Sequence, residues 1–272
     1  MNILILGGNR FVGKKLAEIL STKNRVTIFN RSGTGPKNCD IIKGDRNMSL
    51  EIDKKFNVVI DFCLFKKEQA ELLISKIHPH QHYIFISSGA AYKDNNCLLY
   101  NETMPIGGLK AFGQYGIEKA ECEEVIINSK LNNYIILRPP YVDGPNSHKQ
   151  RIKYYIDNIR KGLPVEVNGD GSKILSFVHV DDVVGVISDI LTYPHLYGFK
   201  QIYNIVSGDF YSSKSLIKEI SDFLNISAII KENGINAPFI NENYMLSPTK
   251  LRRKFFTIKE KLPEFLYEQK II

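Results

Sequence analysis

The chain has few cysteines, no long apolar run and no charged segment ahead of its first strand-like run. Its four cysteines lie far apart, without a CxxC pair: Cys39, Cys63, Cys97 and Cys122. This spacing indicates reduced thiols, and it points to neither a zinc site nor a redox pair. The apolar runs are shorter than the roughly 18–20 residues that a membrane span needs. Because the chain enters its first strand directly, without room for a signal segment, we expect a cytoplasmic protein with no metal and no membrane partner.

Basic residues exceed acidic ones, giving a formal net charge of +7, while 43% of the 272 residues are hydrophobic. This apolar fraction is typical of a folded globular protein and argues against disorder. The length is sufficient for one large or two small domains. A positive charge suits a nucleic acid, an anionic ligand or solubility alone, so it does not decide the function.

A glycine-rich turn near the start of the chain joins an apolar run to a helical pattern. The run Ile3–Leu6 leads into Gly7–Gly13, and apolar positions at helical spacing continue to Leu20. Gly7 allows the tight turn, and Gly13 lets the helix lie close to the strand. The N-terminus of such a helix offers free backbone N–H groups to a pyrophosphate.

Short apolar runs alternate with helical patterns through the first half of the chain. Strands are predicted over Asn2–Gly7, Arg25–Asn30, Asp40–Lys43, Asn57–Phe62, Tyr83–Ser87 and Tyr134–Arg138. Helices are predicted over Phe11–Ser21, Lys66–Ile77 and Gln114–Lys130. This alternation indicates a parallel sheet covered on both faces. With the glycine turn first, we predict an α/β protein with a doubly wound parallel (Rossmann) sheet.

The pattern loosens after Pro139, where a smaller C-terminal substrate-binding lobe is predicted. After this point helices are predicted over Arg151–Lys161 and Asp181–Leu191, and a further helix is capped at Ser212 or Ser213. Extended segments are predicted over Val165–Asn168, Ile174–Val178 and Ile202–Val206. The dinucleotide-binding domain is predicted to cover 1–165, with 176–206 returning to it. The small lobe is predicted to comprise 140–175 and 207–272, placed over the carboxyl ends of the strands.

Tyr115 and Lys119 are four residues apart in a predicted helix, so both lie on one face. A free tyrosine is a poor base at neutral pH, and a nearby cation favours its phenolate. Such a tyrosine can exchange a proton with a substrate hydroxyl while a nicotinamide exchanges hydride with the same carbon. Ser88 ends a predicted strand, where its hydroxyl can stabilise an oxyanion. A Tyr–Lys pair alone occurs often by chance, but the glycine turn and the serine together favour the catalytic interpretation.

The chain resembles the extended short-chain dehydrogenase/reductase superfamily, of the NAD-dependent epimerase/dehydratase type, over most of its length. The resemblance rests on a serine strand at Phe85–Tyr92, a YxxxK pair at Tyr115 and Lys119, a segment at Arg138–Pro145 and an FxHVxD motif at Phe177–Asp182. The family's serine lies four residues before a tyrosine, which selects Ser88 over Ser87. The resemblance implies a tyrosine acid/base, a lysine that also holds the nicotinamide ribose, and frequent dimers.

The glycine turn and the resemblance together define the expected site. Asp45 matches the family's adenine-contacting aspartate, and Asp61-Phe62-Cys63 ends the strand that runs beside the cofactor. The predicted catalytic residues are Ser88, Tyr115 and Lys119. The predicted cofactor-binding residues are Gly7, Asn9, Arg10, Phe11, Val12, Gly13, Asn30, Arg31, Asp45, Phe62, Cys63, Lys119, Pro139, Tyr141 and Val142.

Two departures from the family pattern bear on the cofactor. Arg10 replaces the usual middle glycine, and the second strand ends in Asn30 and Arg31 without the acid that binds the ribose 2′-hydroxyl of NAD. An acid would repel a 2′-phosphate, whereas arginine binds it bidentately. We therefore expect NADP(H) in preference to NAD(H), and NAD(H) is the alternative cofactor. The alternative interpretation of Arg31 is a solvated loop residue that does not contact the cofactor.

The expected substrate is a small or sugar-like compound that carries a hydroxyl or carbonyl. Sugar-nucleotide members of the family often carry an arginine before the FxHVxD motif, where Leu175 stands here. We therefore expect a substrate other than a conventional nucleotide-diphosphate sugar. The alternative is that a diphosphate is bound from another angle by other cations, namely Arg151, Lys153 or Lys173. The resulting prediction is an NADP(H)-preferring oxidoreductase or epimerase.

The alternative function is a non-catalytic member of the superfamily that binds RNA or senses NADP. The basic cluster Lys250–Lys254, with Phe255 and Phe256 after it, suits RNA phosphates with aromatic support. The turn Gly-Gly-x-Arg-Phe-Val-Gly also resembles that of chloroplast stem-loop RNA-binding relatives. Because an RNA binder needs no catalytic serine, tyrosine and lysine together, we expect no nucleic-acid partner.

Four histidines are interpreted as structural. His78, His80 and His82 alternate in sequence, but they precede a parallel strand, at the edge opposite the usual ligand side. We therefore expect a polar loop there, and a structural hydrogen bond from His179 of the FxHVxD motif.

A homodimer is expected from the resemblance, with the helices that begin near Lys66 and Gln114 at the interface. Apolar positions on both helices suit either an interface or packing on the sheet: Leu72, Leu73, Ile77, Val125 and Ile126.

Overall fold

The fold is known from a computed structural model that describes residues 1–95, 97–147 and 149–254. The strands of these residues are β1 (Asn2–Leu6), β2 (Arg25–Asn30), β3 (Asp40–Lys43), β4 (Val58–Asp61), β5 (His82–Ile86), β6 (Leu99–Tyr100), β7 (Tyr134–Arg138), β8 (Tyr141–Asp143), β9 (Val165–Glu166), β10 (Ile174–His179), β11 (Gln201–Asn204), β12 (Phe210–Ser212), β13 (Ile230–Lys231) and β14 (Met245–Leu246). The α-helices are α1 (Phe11–Leu20), α2 (Arg46–Ser49), α3 (Lys67–Lys76), α4 (Gln114–Ile127), α5 (Arg151–Arg160), α6 (Val180–Thr192), α7 (Pro194–Tyr197), α8 (Ser213–Leu224) and α9 (Thr249–Arg252).

Within the described residues, seven strands form one sheet in the order β11-β7-β5-β4-β1-β2-β3. Every neighbouring pair is parallel. The chain runs outward from β1 to β3 and then returns to the other side of β1 with β4. Such a reversal creates a crevice at the carboxyl ends of the strands, where this class of sheet binds ligands. The predicted doubly wound Rossmann sheet is confirmed.

Helices bury both faces of the sheet, which explains why its central strands β1, β4, β5 and β7 are buried along almost their whole length rather than at alternate positions. In β1, Ile3 and Ile5 pack in the core with α1 and α6, whereas Leu4 and Leu6 pack in the core with α3 and α4. Successive side chains of a strand point to opposite faces, so one short run fills both cores. The glycine turn after β1 is thereby held at the centre of the sheet's carboxyl edge.

A smaller lobe has its own core beyond the carboxyl edge of the sheet. In it β10 pairs in parallel with β8 and antiparallel with β12, and α5 and α8 contribute buried apolar residues. Between these elements the chain returns to the large sheet, since α6 packs on α1 and β11 pairs with β7. The last part of the predicted lobe, 255–272, lies outside the described residues, so the predicted domain boundaries stay a prediction.

The apolar positions offered for a dimer interface are mostly used inside the subunit. Leu73, Ile77 and Ile126 are buried in the core between the sheet and the helices α3 and α4. Leu72 and Val125 are half-buried. Three of these positions therefore stabilise the subunit itself and are not available to a partner.

Metal-binding clusters and disulfides are both missing from the part of the chain that the structure describes. The alternating histidines contact the protein itself: Nε2 of His78 lies 3.2 Å from the carbonyl oxygen of Ile52, and Nε2 of His80 lies 3.0 Å from that of Lys54. In residues 1–95, 97–147 and 149–254, none of the helices combines the length and the apolar character of a membrane span.

Candidate functional site

The turn between β1 and α1 is tight enough to require its glycines. Gly7 has a φ of +89°, and a Cβ there would lie 3.1 Å from the Cβ of Cys63. A Cβ at Gly13 would lie 3.0 Å from the Cα of Gly8, so a side chain at position 13 would separate α1 from the turn. Phe11 has a left-handed φ of +42°, a strained conformation that non-glycine residues keep mainly at functional sites. No side chain of the described residues caps α1 at Arg10, which leaves this end suited to an anion.

A cavity of about 650 Å³ lies along the carboxyl ends of the central strands, beside this turn. Its lining includes predicted cofactor-binding residues: Gly7, Asn9, Arg10, Phe11, Val12, Gly13, Asn30, Arg31, Asp45, Phe62 and Cys63. It also includes residues that the sequence did not single out: Phe29, Ser32, Gly44, Arg46, Asn47, Phe65 and Gln69. The size is that of a small-molecule site, and the close glycine turn with an uncapped helix fits a dinucleotide pyrophosphate.

Two guanidinium groups line this cavity, Arg31 directly after β2 and Arg10 in the glycine turn after β1. Arg10 and Arg31 are exposed and line the cavity, and neither pairs with a carboxylate within the described residues. The intervening loop is shaped by Asn30, whose side chain accepts the Gly33 N–H at 2.8 Å and donates to the Thr34 carbonyl at 2.7 Å. Asn30 therefore builds the loop, and the two arginines supply the charge.

The wall of the cavity contains one member of a buried ion pair that residue spacing did not reveal, Arg46 paired with Asp61. Arg46 donates to both carboxylate oxygens of Asp61 at 2.9 Å, and to Sγ of Cys63 at 3.3 Å. Burial lowers the pKa of Arg46, but Asp61 outweighs it and raises that pKa above its ordinary value. Burial, with Asp61, raises the pKa of Cys63 to about 12, so this cysteine stays a neutral thiol. An acid inside an apolar strand requires a buried partner, and this was the available signal.

Lys119 is anchored at the carboxyl end of β5. Its side chain is buried, and Nζ donates to the carbonyl of Leu64 at 2.8 Å and to that of Ile86 at 3.1 Å. Nζ also lies 4.6 Å from the ring centre of Phe65, which lines the cavity, and 6.0 Å from that of Tyr115. The ammonium group therefore stands between the cavity and the tyrosine.

Ser88 follows β5 and caps the short 3₁₀ turn Gly89–Ala91, where its Oγ accepts the Ala90 N–H at 3.2 Å. A Cβ at Gly116 of α4 would lie 2.7 Å from the carbonyl oxygen of Ala90. The first turn of α4 is thus pressed against the turn that follows the serine. Tyr115, next to this contact, keeps 41% of its surface exposed and is open to a ligand. The structure therefore gathers the three predicted catalytic residues at one place.

The predicted segment around Pro139 lies beside the serine turn and does not line the cavity. The Pro139 carbonyl accepts the Gly89 N–H at 3.0 Å, and Val142 packs at the edge of the main core. The Tyr141 ring is buried in the core of the small lobe, where its hydroxyl accepts the Ile240 N–H at 3.4 Å. Cofactor contacts from these residues stay a prediction.

The FxHVxD motif connects the small lobe to the large sheet. His179 caps α6 by accepting the Asp181 N–H at its Nδ1, at 3.3 Å, and Asp181 forms an ion pair with Lys15 of α1. Leu175, four residues before the histidine, is buried in the small-lobe core. It packs against protein and presents no group to a ligand.

The basic cluster near residue 250 also contacts the protein itself. Nζ of Lys250 donates to the Ile202 carbonyl at 2.8 Å, and Nη2 of Arg252 donates to the Ser207 carbonyl at 3.2 Å. These two cations hold α9 against β11 and the segment that follows it. The aromatic pair Phe255 and Phe256, proposed from the sequence as support for RNA, lies outside the described residues.

Known proteins with related sequences include a stem-loop binding protein and a reductase. The chain is 27% identical over 233 residues to chloroplast stem-loop binding protein of 41 kDa b from Arabidopsis thaliana, a match that covers 77% of this chain and 59% of that protein. It is 25% identical over 224 residues to dTDP-4-dehydro-6-deoxyglucose reductase from Escherichia coli, covering 80% and 65%. The chain thus spans less than two thirds of either relative.

Solved structures of similar fold include UDP-glucuronic acid 4-epimerase from Bacillus cereus in complex with UDP-glucuronic acid and NAD. It has a TM-score of 0.81 and 17% identity, covering 98% of this chain and 97% of that one. The UDP-glucose 4-epimerase from Thermotoga maritima with UDP-glucose has a TM-score of 0.77 and 20% identity, covering 99% of both. At these identities the likeness establishes the fold.

Family membership follows from the sequence itself. The profile of the NAD dependent epimerase/dehydratase family matches residues 70–206, which include the serine turn, the tyrosine and lysine of α4, and the FxHVxD motif. The strand order and the glycine turn agree with this match. The chain belongs to the NAD dependent epimerase/dehydratase family.

Proposed function

We propose that this chain is an NADP(H)-preferring oxidoreductase or epimerase that acts on a hydroxyl or carbonyl of a sugar nucleotide or a similar sugar compound. The observation that carries the proposal is the position of Lys119. Its ammonium group is fixed at the end of β5, 6.0 Å from the ring centre of Tyr115 and beside a ring that lines the dinucleotide-sized cavity. A regulator or an RNA binder has no need of this arrangement.

In the proposed mechanism Tyr115 exchanges a proton with the substrate oxygen. Its phenol is suited to this role because it is exposed to a ligand and borders the serine turn. The Lys119 ammonium group, 6.0 Å from the Tyr115 ring centre, stabilises negative charge that develops on the phenol oxygen during this exchange. The Ser88 hydroxyl donates to the same substrate oxygen as negative charge develops on it. When bound, a nicotinamide cofactor supplies or accepts the hydride at the adjacent carbon. Reduction, epimerisation and dehydration can all begin with this step.

The substrate class is supported by the relatives and the neighbours rather than by Leu175. A reductase of a dTDP-sugar is among the relatives, and the neighbouring structures hold UDP-sugars. The expectation of a substrate other than a nucleotide-diphosphate sugar depended on Leu175 alone, and Leu175 is part of the small-lobe core. Other cations stand on the small lobe: Arg151 lies 4.8 Å from the Tyr141 ring centre and donates to the Pro238 carbonyl, whereas Lys153 is already paired with Asp157.

A ligand panel tests this proposal. UDP-, GDP- and dTDP-sugars are added to the protein with NADPH present, and the thermal unfolding midpoint is followed. We expect one of them to stabilise the protein, and its free sugar to do so far less. Equal stabilisation by the free sugar would favour a substrate without the diphosphate. If the protein converts none of the sugar nucleotides in the panel, the proposed function is contradicted.

The NADP(H) preference rests on the guanidinium groups of Arg10 and Arg31, which line the cavity without a carboxylate partner among the described residues. We expect NADPH to bind more tightly than NADH. The Arg31→Ala variant should lose about 1–3 kcal/mol of NADPH binding, since hydrogen bonds to charged groups are lost, with little change for NADH. Fluorescence titration of both cofactors measures this. Lys37→Ala, on the same connection but outside the cavity lining, is the control, and equal loss of both cofactors would contradict the preference.

A homodimer through α3 and α4 completes the proposal. Ile127 of α4 remains exposed, with 39% of its surface accessible, and half-buried Leu72 and Val125 lie on the same pair of helices. Light scattering at micromolar concentration should give twice the 31.0 kDa chain mass. Ile127→Glu should shift the mass towards the monomer, because it places a charge in an apolar interface. Ile19→Glu, at an exposed position of α1, should leave the dimer intact, and a monomeric wild type would refute the proposal.

A further inference from the structure

A third hydroxyl reaches the serine turn from the small lobe. Tyr244, which precedes β14, is buried, and its backbone is fixed to β10 by two hydrogen bonds. Its N–H donates to the Ile174 carbonyl at 2.8 Å, and its carbonyl accepts the Ser176 N–H at 2.8 Å. The ring is held edge-on by Phe112, at 4.9 Å between ring centres. Its position is therefore set by the small lobe.

The end of this ring lies directly on the residue after the catalytic serine. A Cβ at Gly89 would overlap the Tyr244 hydroxyl and would lie 2.7 Å from a methyl group of Leu246. Ser88 and Tyr115 are both close enough to influence this hydroxyl electrostatically. The absence of a side chain at Gly89 thus admits the phenol to the catalytic centre.

The hydrogen-bond capacity of Ser88 limits what this contact can do. A serine hydroxyl has two acceptor lone pairs and one donor. The Ala90 N–H occupies one lone pair. Burial raises the pKa of Tyr244 well above the ordinary tyrosine value, and Tyr141 and Tyr115 add to this, so the phenol stays protonated and able to donate.

We propose that Tyr244 is a positioning residue that donates its hydroxyl hydrogen to Ser88 Oγ and so fixes the serine as a donor to the substrate oxygen. With both lone pairs of Ser88 occupied, its remaining function is to donate. A serine that accepts a hydrogen bond is also a stronger donor, because hydrogen bonds in a chain polarise one another. The small lobe thereby contributes to the catalytic centre as well as to substrate binding. This inference rests on the proposed function.

The test is a kinetic double-mutant cycle of Tyr244→Phe and Ser88→Ala. Tyr244→Phe removes only the hydroxyl and keeps the buried ring in place. We expect Tyr244→Phe to lower kcat about tenfold with KM nearly unchanged, as for the loss of one hydrogen bond. Ser88→Ala should lower kcat by about 10²-fold or more. The double variant should be no slower than Ser88→Ala alone, because Tyr244 acts through the serine. Tyr155→Phe, which removes a phenol buried in the same core on α5, should retain wild-type kcat.

Additive losses in the double variant, or a loss confined to KM, would overturn the inference. A faster Tyr244→Phe variant would also overturn it, since the phenol would then compete with substrate. If wild type turns over no substrate, the proposed function fails, and the same cycle is measured on the free energy of unfolding. Non-additive effects there support the Tyr244–Ser88 hydrogen bond independently, and additive effects refute it.

Discussion

Replacement of Tyr115 by phenylalanine is expected to reduce turnover by about 10²–10⁴-fold, the usual contribution of a general acid/base. The substitution removes only the proton-transfer group from a side chain that is partly exposed. The contact of α4 with the serine turn runs through Gly116 and is unaffected. The dissociation constant of NADPH should therefore change little while kcat falls. Steady-state kinetics on the best substrate of the panel, with a cofactor titration, measures both.

The control for this variant is Tyr193→Phe, which removes a hydroxyl of similar exposure far from the site, at the end of α6. It should retain wild-type turnover. If Tyr115→Phe kept wild-type kcat, the proton-transfer mechanism would be wrong. If it lost NADPH binding to the same extent, the phenol would serve the cofactor rather than the substrate.

The second large effect is expected at the buried ion pair between α4 and β7. Arg138 donates through Nε and Nη2 to Glu123 at 2.5–3.1 Å, and Ser87 donates to the same carboxylate at 2.5 Å. Burial lowers the pKa of Arg138, but Glu123 outweighs it and raises that pKa. Removing one partner leaves a buried charge uncompensated, so Arg138→Met should lower the free energy of unfolding by about 3–5 kcal/mol. Urea denaturation measures the change.

Two further variants separate burial from charge. Replacing both Arg138 and Glu123 by methionine should recover most of the loss, because no unpaired charge remains. Arg25→Met breaks an exposed ion pair with Asp40, whose Nε–O distance is 2.9 Å. It should cost no more than about 1 kcal/mol. A loss for Arg138→Met as small as that for Arg25→Met would show that the pair does not stabilise the fold.

The parts of the fold that depend on local pattern were predictable from the sequence. β2, β3 and β7 have the predicted bounds, and α1 and α4 begin at the predicted residues. Each has its signal within its own residues, either a short run with adjacent apolar positions or a helical pattern. The glycine turn was predictable for the same reason, since Gly7 has a positive φ and Gly13 has no room for a side chain.

Contacts between distant segments were not predictable in this way. The Tyr244 hydroxyl reaches Gly89, the residue after Ser88, across more than half of the chain, and no periodic pattern in the sequence predicts this approach. The Arg46–Asp61 pair shows as two separate charged residues in the sequence and becomes one buried unit in the fold. Leu73 and Ile126 looked equally suited to an interface and to the core. In each case the deciding information is tertiary packing, which residue spacing does not contain.

The measurement that tests the account most directly is substrate conversion under single-turnover conditions. The protein is mixed with NADPH or NADP⁺ and with the sugar nucleotide that stabilises it most, and the sugar is followed by NMR together with the nicotinamide absorbance. We expect a chemically altered sugar with wild-type protein, and conversion slower by about 10²-fold or more with Ser88→Ala or Tyr115→Phe. Tight cofactor binding without any altered sugar would contradict it, and would favour a cofactor-sensing protein instead.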